Sequence, residues 1–312
     1  MSRRETKEMK PTSLDELAKP FLQLQTFADV KMPEEAEEPI LHPAVRAAVF
    51  EWITEIRAVK ELEAMGVKPR RSALFYGPPG TGKTTLAHHI AARLGVPLVS
   101  VNSEQLIDSS LGGSQRNVAK LFNVLDMVNG KCVMLLDEID SIGSKRSADD
   151  QAGAREMNSV LTTLLRKVES FTGIMIGATN RNDALDPALW RRFGLQLSVD
   201  LPSDDERYAI MRRYIAPLAA PDEDLDLLVD LTRGASPALL RATMEGIKRT
   251  LVIGPRIGRD VSNAAAVFAS VIASNQPHPD IPSPRLWTGA YGEEISAFTW
   301  PWVKESKGSR SA

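Results

Sequence analysis

Short apolar runs alternate with stretches of helical spacing between residues 72 and 201. The runs are apolar on both faces, which is typical of strands buried on both sides of a sheet. Strands separated by helices predict an α/β fold of three layers, with a parallel sheet between two layers of helices. Such sheets bind ligands at the C-terminal ends of their strands. The predicted strands are SALFYG (72–77), PLVSVN (97–102), CVMLLDE (132–138), GIMIGATN (173–180) and LQLSVDL (195–201).

The remaining sequence predicts further segments around this sheet, since 312 residues suit about two domains. SLDELAKPFLQLQTF, near the N-terminus, is either a short docking helix or an unstructured leader. A helix is expected from His42 to Gly66, and four helices after residue 202, with Ser203, Ser236 and Asp260 as N-caps. The predicted domains are an arm (1–40), an α/β domain (41–202), an all-helical domain (203–276) and a tail rich in proline and aromatic residues (277–312).

The composition excludes several classes of protein. A net charge of −2 gives no global electrostatic reason to bind nucleic acid. The single cysteine, Cys132, lies in an apolar run, so we expect a buried thiol and no disulfide framework. The first residues lack the apolar core of a signal peptide, and no apolar run is long enough to span a bilayer. These features predict a cytoplasmic protein without a membrane partner.

A glycine-rich segment, GPPGTGKTT, separates the first predicted strand of the sheet from a helix. It matches the phosphate-loop pattern G-x-x-x-x-G-K-[ST] in the context that this pattern requires. Glycines let backbone N–H groups converge on phosphate oxygens, and the helix directs its positive N-terminus at the same anion. Lys83 is expected to neutralise the β- and γ-phosphates of ATP, and Thr84 to bind Mg²⁺. The predicted nucleotide contacts are Gly77, Pro78, Pro79, Gly80, Thr81, Gly82, Lys83, Thr84 and Thr85.

Polar residues follow two of the other strands. Asp137 and Glu138 end the run VMLLDE, and Asn180 ends GIMIGATN. Beside a phosphate loop, Asp137 is expected to hold Mg²⁺ through water, and Glu138 to act as the general base on the attacking water. Asn180 can orient that water or touch the γ-phosphate, although a turn-forming asparagine would have the same sequence.

Two adjacent arginines, Arg191 and Arg192, precede the last strand of the sheet. Arginine suits the charge that develops on a transferred phosphoryl group. Within one subunit these side chains are expected to lie too far from the phosphates, so we expect them to act on a neighbouring subunit. An exposed basic pair without a catalytic role is the alternative.

The order and spacing of ALFYGPPGTGKTTLA, VMLLDEIDSIGSKR and GATNRNDALDPALWRRF resemble the AAA+ ATPases, in particular the AAA clade of ring-forming protein remodellers. The resemblance covers roughly residues 40–275. It implies a helical lid, a homo-oligomeric ring that is usually hexameric, and ATP bound between subunits. It also implies that Asn180 is sensor 1, that Arg191 and Arg192 are arginine fingers, and that Arg241 stands where many members carry a sensor 2 arginine.

The sequence departs from the family pattern at two places. The finger segment commonly reads R-x-G-R-F-D, whereas Trp190 to Gly194 reads WRRFG, so which arginine is the finger stays open. Ser110, Leu111 and Gly112 stand where protein-threading members have an aromatic-apolar-Gly triplet. Without the aromatic side chain, this segment offers less apolar area to a polypeptide.

Three functions are compatible with the sequence. The first is ATP-driven remodelling, unfolding or loading of a protein partner. The second is a nucleotide-gated scaffold or regulator with slow turnover, which the missing aromatic favours. The third is a DNA-associated loader or regulator, which the near-neutral charge disfavours.

Overall fold

The computed structural model describes residues 14–107, 113–143, 151–289 and 291–304. They form two compact units. The first comprises the chain up to Glu37, Glu55–Leu74 and Ala87–Gln196. The second comprises Glu38–Thr54, Phe75–Leu86 and the chain from Leu197 onward.

A six-stranded sheet has the strand order β1-β3-β4-β5-β2-β6. Strands β3, β4 and β5 are parallel, with Asn102 opposite Asp137 and Leu136 opposite Gly177. The predicted α/β fold with a mostly parallel sheet is confirmed. A separate two-stranded sheet pairs β7 with β8. The strands are β1 (Asp29–Lys31), β2 (Ser72–Tyr76), β3 (Leu98–Asn102), β4 (Val133–Asp137), β5 (Ile174–Thr179), β6 (Leu195–Ser198), β7 (Leu218–Ala219) and β8 (Val303–Lys304).

Helices follow the strands in the expected alternation. After β6 the chain is mainly helical as far as residue 274, but the two-residue strand β7, which was not predicted, lies between the first two helices of this part. No helix among the described residues is both long and apolar enough to cross a membrane. The helices are α1 (Leu14–Leu24), α2 (Pro43–Arg57), α3 (Val59–Ala64), α4 (Lys83–Leu94), α5 (Gly113–Met127), α6 (Asp140–Gly143), α7 (Gln151–Ser170), α8 (Pro187–Trp190), α9 (Asp204–Ile215), α10 (Asp222–Leu231), α11 (Pro237–Ile253), α12 (Ala264–Ser274) and α13 (Gly292–Ser296).

The N-terminal segment is part of the first unit. Leu24 and Ala28 are buried in its core with residues of α5, which supports the docking helix rather than an unstructured leader. The sequence did not predict β1, which pairs antiparallel with β3 and places Val30 opposite Val99. The backbone carbonyl of Met32, just after β1, is also hydrogen-bonded to Nε2 of the buried His88 at 2.8 Å.

The helix expected from His42 to Gly66 is two helices. Ala58 leaves helical geometry, with φ −91° and ψ 31°, and its N–H donates to the carbonyl of Glu55, three residues back. Gly66, with φ +76°, follows the second helix as predicted.

The strands of the first unit have the buried character that their sequences predicted. Every side chain of β4 from Val133 to Leu136 is at most 1% exposed. Cys132 is buried just before this strand, and burial raises its pKa to about 12. This thiol therefore stays protonated at neutral pH.

Four helices, α9 to α12, form the helical core of the second unit. Glu206 accepts hydrogen bonds from the backbone N and Oγ of Ser203, and Ser236 caps α11 through Leu239 N. The predicted cap at Asp260 is wrong. Asn263 caps α12 by accepting from Ala266 N, because Asp260 is used in a turn with Ser262 N.

The described part of the tail packs into the second unit. Phe298 and Trp302 lie in its core, where both rings contact Phe268 of α12. Asp224, only 6% exposed at the start of α10, accepts hydrogen bonds from Thr299 N and Trp302 Nε1. Phe298 and Trp302 are therefore part of the core of the second unit.

Candidate nucleotide-binding site

The phosphate loop lies between β2 and α4. Its glycines adopt positive φ angles: 143° at Gly77, 74° at Gly80 and 93° at Gly82. A Cβ at Gly77 would lie 2.3 Å from the carbonyl oxygen of Val199, so only glycine fits there. A Cβ at Gly82 would meet nothing within 4 Å. The loop thus has the backbone freedom and the open space that an anion cradle requires.

The first turn of α11 contacts this loop within the second unit. The backbone N of Ala238 donates to the carbonyl of Gly80 at 3.1 Å. A Cβ at Gly80 would lie 2.9 Å from Oγ of Ser236, the residue that caps α11. Helix α11 therefore contacts the phosphate loop through a backbone hydrogen bond.

Lys83, the first residue of α4, is only 6% exposed. Its Nζ donates to the carbonyls of Gly77 and Pro78 at 2.9 and 2.8 Å. The hydroxyl of Thr81 also donates to Pro78 O, at 3.0 Å. Burial strengthens the pairing of an ammonium group with a nearby anion, because the local dielectric constant is lower than in water. These contacts fit the phosphates of a nucleotide.

A cavity of about 450 Å³ adjoins the loop at Thr81. Its walls come from residues 40–45 before and within α2, from residues 197–203 and from the start of α11. The volume lies in the range of small-molecule sites, and most lining side chains are apolar. The sequence gives no sign of this cavity, because the residues that line it are far apart in the chain and, apart from Thr81, belong to no motif.

In the first unit, β4 ends with Asp137, and Glu138 follows with φ +52°. Among the described residues, Glu138 is the one non-glycine residue with positive φ. Its backbone N–H donates to Oδ1 of Asp137 at 3.0 Å. Backbone strain of this kind is typical of functional sites.

The electrostatic surroundings of Glu138 raise its pKa. Burial is the largest cause, followed by the negative charges of Glu104, Asp137 and Asp140. A hydrogen bond with the side chain of Asn102 opposes the shift. A carboxylate with a raised pKa is a better proton acceptor, as a general base requires.

Asn102 belongs to none of the sequence motifs. It ends β3 opposite Asp137, and its side chain also accepts from Glu104 N at 2.9 Å. The sequence signal that could have identified Asn102 is its position as a polar residue at the end of the strand next to β4.

Asn180 follows β5 and is exposed. The preceding Thr179 is buried and donates to Oδ1 of Asp140 at 2.6 Å, while the backbone N of Ile139 donates to Ala178 O. The structure therefore brings the predicted general base and Asn180 to the ends of adjacent parallel strands.

Arg191 and Arg192 are both exposed after α8. Arg191 Nε donates to Pro187 O at 3.1 Å, and Arg192 lies 3.5 Å from a carboxylate oxygen of Glu169. A Cβ at Gly194, where the family has Asp, would be 3.1 Å from Cγ of Arg70. The side chain of Arg70 therefore packs against the backbone at Gly194.

Arg241 lies one turn into α11. Its Nε bonds to Glu245 at 2.9 Å, and its guanidinium lies 4.9 Å from the ring centroid of Tyr214. The sensor 2 role of Arg241 stays a prediction. The pore-loop prediction at Ser110, Leu111 and Gly112 lies outside the described residues.

No group of three His, Cys, Asp or Glu side chains within residues 14–107, 113–143, 151–289 and 291–304 could hold a metal ion. The assignment of Thr84 and Asp137 as ligands of Mg²⁺ stays a prediction.

The strand–loop–helix with its buried lysine defines a phosphate-loop nucleotide-binding protein. Residues 73–201 match the model of the ATPase family associated with various cellular activities, or AAA. Residues 73–201 thus form an AAA domain, the domain of the AAA+ ATPases.

Three relatives illustrate the similarity. The proteasome-activating nucleotidase of Methanopyrus kandleri is 37% identical over 207 residues, which are 62% of this chain and 47% of the relative. The 26S proteasome regulatory subunit 10B homolog A of Arabidopsis thaliana is 36% identical over 204 residues, 61% of this chain and 51% of the relative. The ATP-dependent zinc metalloprotease FtsH of Mycobacterium tuberculosis (strain CDC 1551) is 34% identical over 250 residues, 74% of this chain and 31% of the relative. The chain thus spans about half the length of the first two relatives.

Proposed function

We propose that this protein binds ATP with Mg²⁺ and hydrolyses it to ADP and phosphate, and that a ring of its copies uses the energy to remodel a protein partner. The phosphate loop carries the proposal. Its positive-φ glycines and the buried Lys83 fit a triphosphate.

Binding rests on the loop. Its N–H groups and the N-terminus of α4 attract the phosphates, while Lys83 neutralises their charge. Thr84 and Asp137 would hold Mg²⁺, which neutralises phosphate oxygens when bound. The cavity beside Thr81 would take the nucleoside.

Hydrolysis is assigned to Glu138. Its carboxylate would accept a proton from the water that attacks the γ-phosphate, and the Asn180 amide would orient that water. The raised pKa of Glu138 supports this role. We place Arg191 or Arg192 beside the γ-phosphate of a neighbouring copy, where a guanidinium would stabilise the developing charge.

The partner is proposed to be a protein. This proposal is supported by the names of the relatives, which are a proteasome-activating nucleotidase, a 26S proteasome regulatory subunit and an ATP-dependent zinc metalloprotease. The identity of the client, the hexameric stoichiometry and the cytoplasmic location stay predictions.

Steady-state ATPase assays over a range of protein concentrations test this proposal. Wild-type activity should rise as rings assemble, and Lys83→Ala and Glu138→Gln should each abolish it. Activity that is independent of Lys83 would refute it.

A further inference from the structure

The cavity beside the phosphate loop contains a histidine that neither the sequence motifs nor the proposed hydrolysis uses. His42 lines this cavity together with Thr81 of the loop. It directly precedes α2, whose first turn it caps: its carbonyl accepts from Arg46 N, and its Nδ1 accepts from Ala44 N at 3.3 Å. The ring is therefore fixed to the start of a helix.

The bond to Ala44 determines where the ring proton lies. Because Nδ1 accepts a hydrogen bond, the neutral imidazole carries its proton on Nε2. Within the described chain, Nε2 of His42 has no hydrogen-bond partner. The ring thus offers a single N–H donor at the cavity.

Other polar side chains of the cavity already have partners. The Ser198 hydroxyl donates to Asp200, the Ser203 hydroxyl to Glu206, and the Thr81 hydroxyl to Pro78 O. The lining side chains that carry formal charge are carboxylates, which disfavour phosphate there. A neutral, flat, mostly apolar group with a hydrogen-bond acceptor suits this environment.

We propose that Nε2–H of His42 donates a hydrogen bond to a ring nitrogen of the purine base. This rests on the proposed binding of the triphosphate at the loop, because phosphates held there leave the nucleoside to enter the adjoining cavity. His42 would then position the base and contribute to the choice of nucleotide.

Deaza analogues of ATP test the hydrogen bond atom by atom, since each replaces one acceptor nitrogen by C–H. Affinities of 1-, 3- and 7-deaza-ATP are compared with ATP by calorimetry on full-length Glu138→Gln protein. One analogue should bind about two- to tenfold more weakly than ATP, the effect of one hydrogen bond. In the His42→Phe background that difference should disappear, because the ring remains and the donor is lost.

The chain offers a matched control. His278 is also followed by proline, and its Nδ1 accepts from Asp280 N at 3.3 Å, but it does not line this cavity. His278→Phe should leave all affinities unchanged, and inorganic tripolyphosphate should bind equally to every variant.

Two results would overturn the inference. One is an unchanged ratio of deaza-ATP to ATP affinity in His42→Phe. The other is weak ATP binding by His42→Ala together with full binding by His42→Phe, which would indicate stacking alone. If neither ATP nor tripolyphosphate binds Glu138→Gln protein in which His42 is unchanged, the proposed phosphate site itself is refuted.

Discussion

Replacing Trp302 by alanine tests whether the C-terminal segment is part of the folded core. Trp302 is 3% exposed, stacks on Phe298 at 5.9 Å between ring centroids and meets Phe268 edge-on at 6.0 Å. Truncating a buried tryptophan to alanine typically costs about 3–5 kcal/mol. The change also removes the Nε1 donor from Asp224, which keeps a bond from Thr299 N. We therefore expect the free energy of unfolding of the second unit to fall by about 3–5 kcal/mol.

Urea unfolding followed by circular dichroism measures this effect. The adjacent Val303 is 67% exposed and provides the control, since Val303→Ala should change stability by less than about 0.5 kcal/mol. Trp302→Phe should give an intermediate loss, because it keeps an aromatic ring but not the donor. A loss below about 1 kcal/mol in Trp302→Ala would refute the reasoning that this segment contributes to the core.

Three further changes test the site. Gly80→Ala should weaken ATP binding, because an L-residue at φ 74° costs about 1–2 kcal/mol and its Cβ would contact the side chain that caps α11. Gly95 has a similar φ of 75° but lies in open space, so Gly95→Ala is the control and should bind ATP normally in calorimetry. Glu104→Gln removes a negative charge that raises the pKa of Glu138, so the acid limb of the kcat–pH profile should move to lower pH; an upward shift would contradict the assigned charges. Asn102→Ala removes the hydrogen bond that lowers this pKa, so the same limb should move to higher pH, with no change expected in ATP affinity.

The strands and the phosphate loop could be predicted from local sequence. Val133–Asp137 is apolar until its last residue, and such a run is typical of a strand that is buried on both faces of a parallel sheet. The loop glycines have backbone requirements that other residues cannot meet, so the motif specifies geometry directly.

The remaining features depend on contacts between distant residues. Val30 pairs with Val99 only because the N-terminal segment folds back onto the edge of the sheet. The three residues of β1 are too few to show the alternation of a strand in the sequence. The Asn102–Glu138 hydrogen bond joins the ends of two strands. His42 lines the cavity because residues 40–45 lie beside residues 197–203 in the fold.

ATP binding and turnover, measured on the same preparations of wild-type, Lys83→Ala and Glu138→Gln protein, test the central claim most directly. We expect the wild type to bind and hydrolyse ATP, and Glu138→Gln to bind ATP without hydrolysing it. Lys83→Ala should neither bind nor hydrolyse ATP. Wild-type turnover by Glu138→Gln would contradict the account, because another group would then have to activate the water.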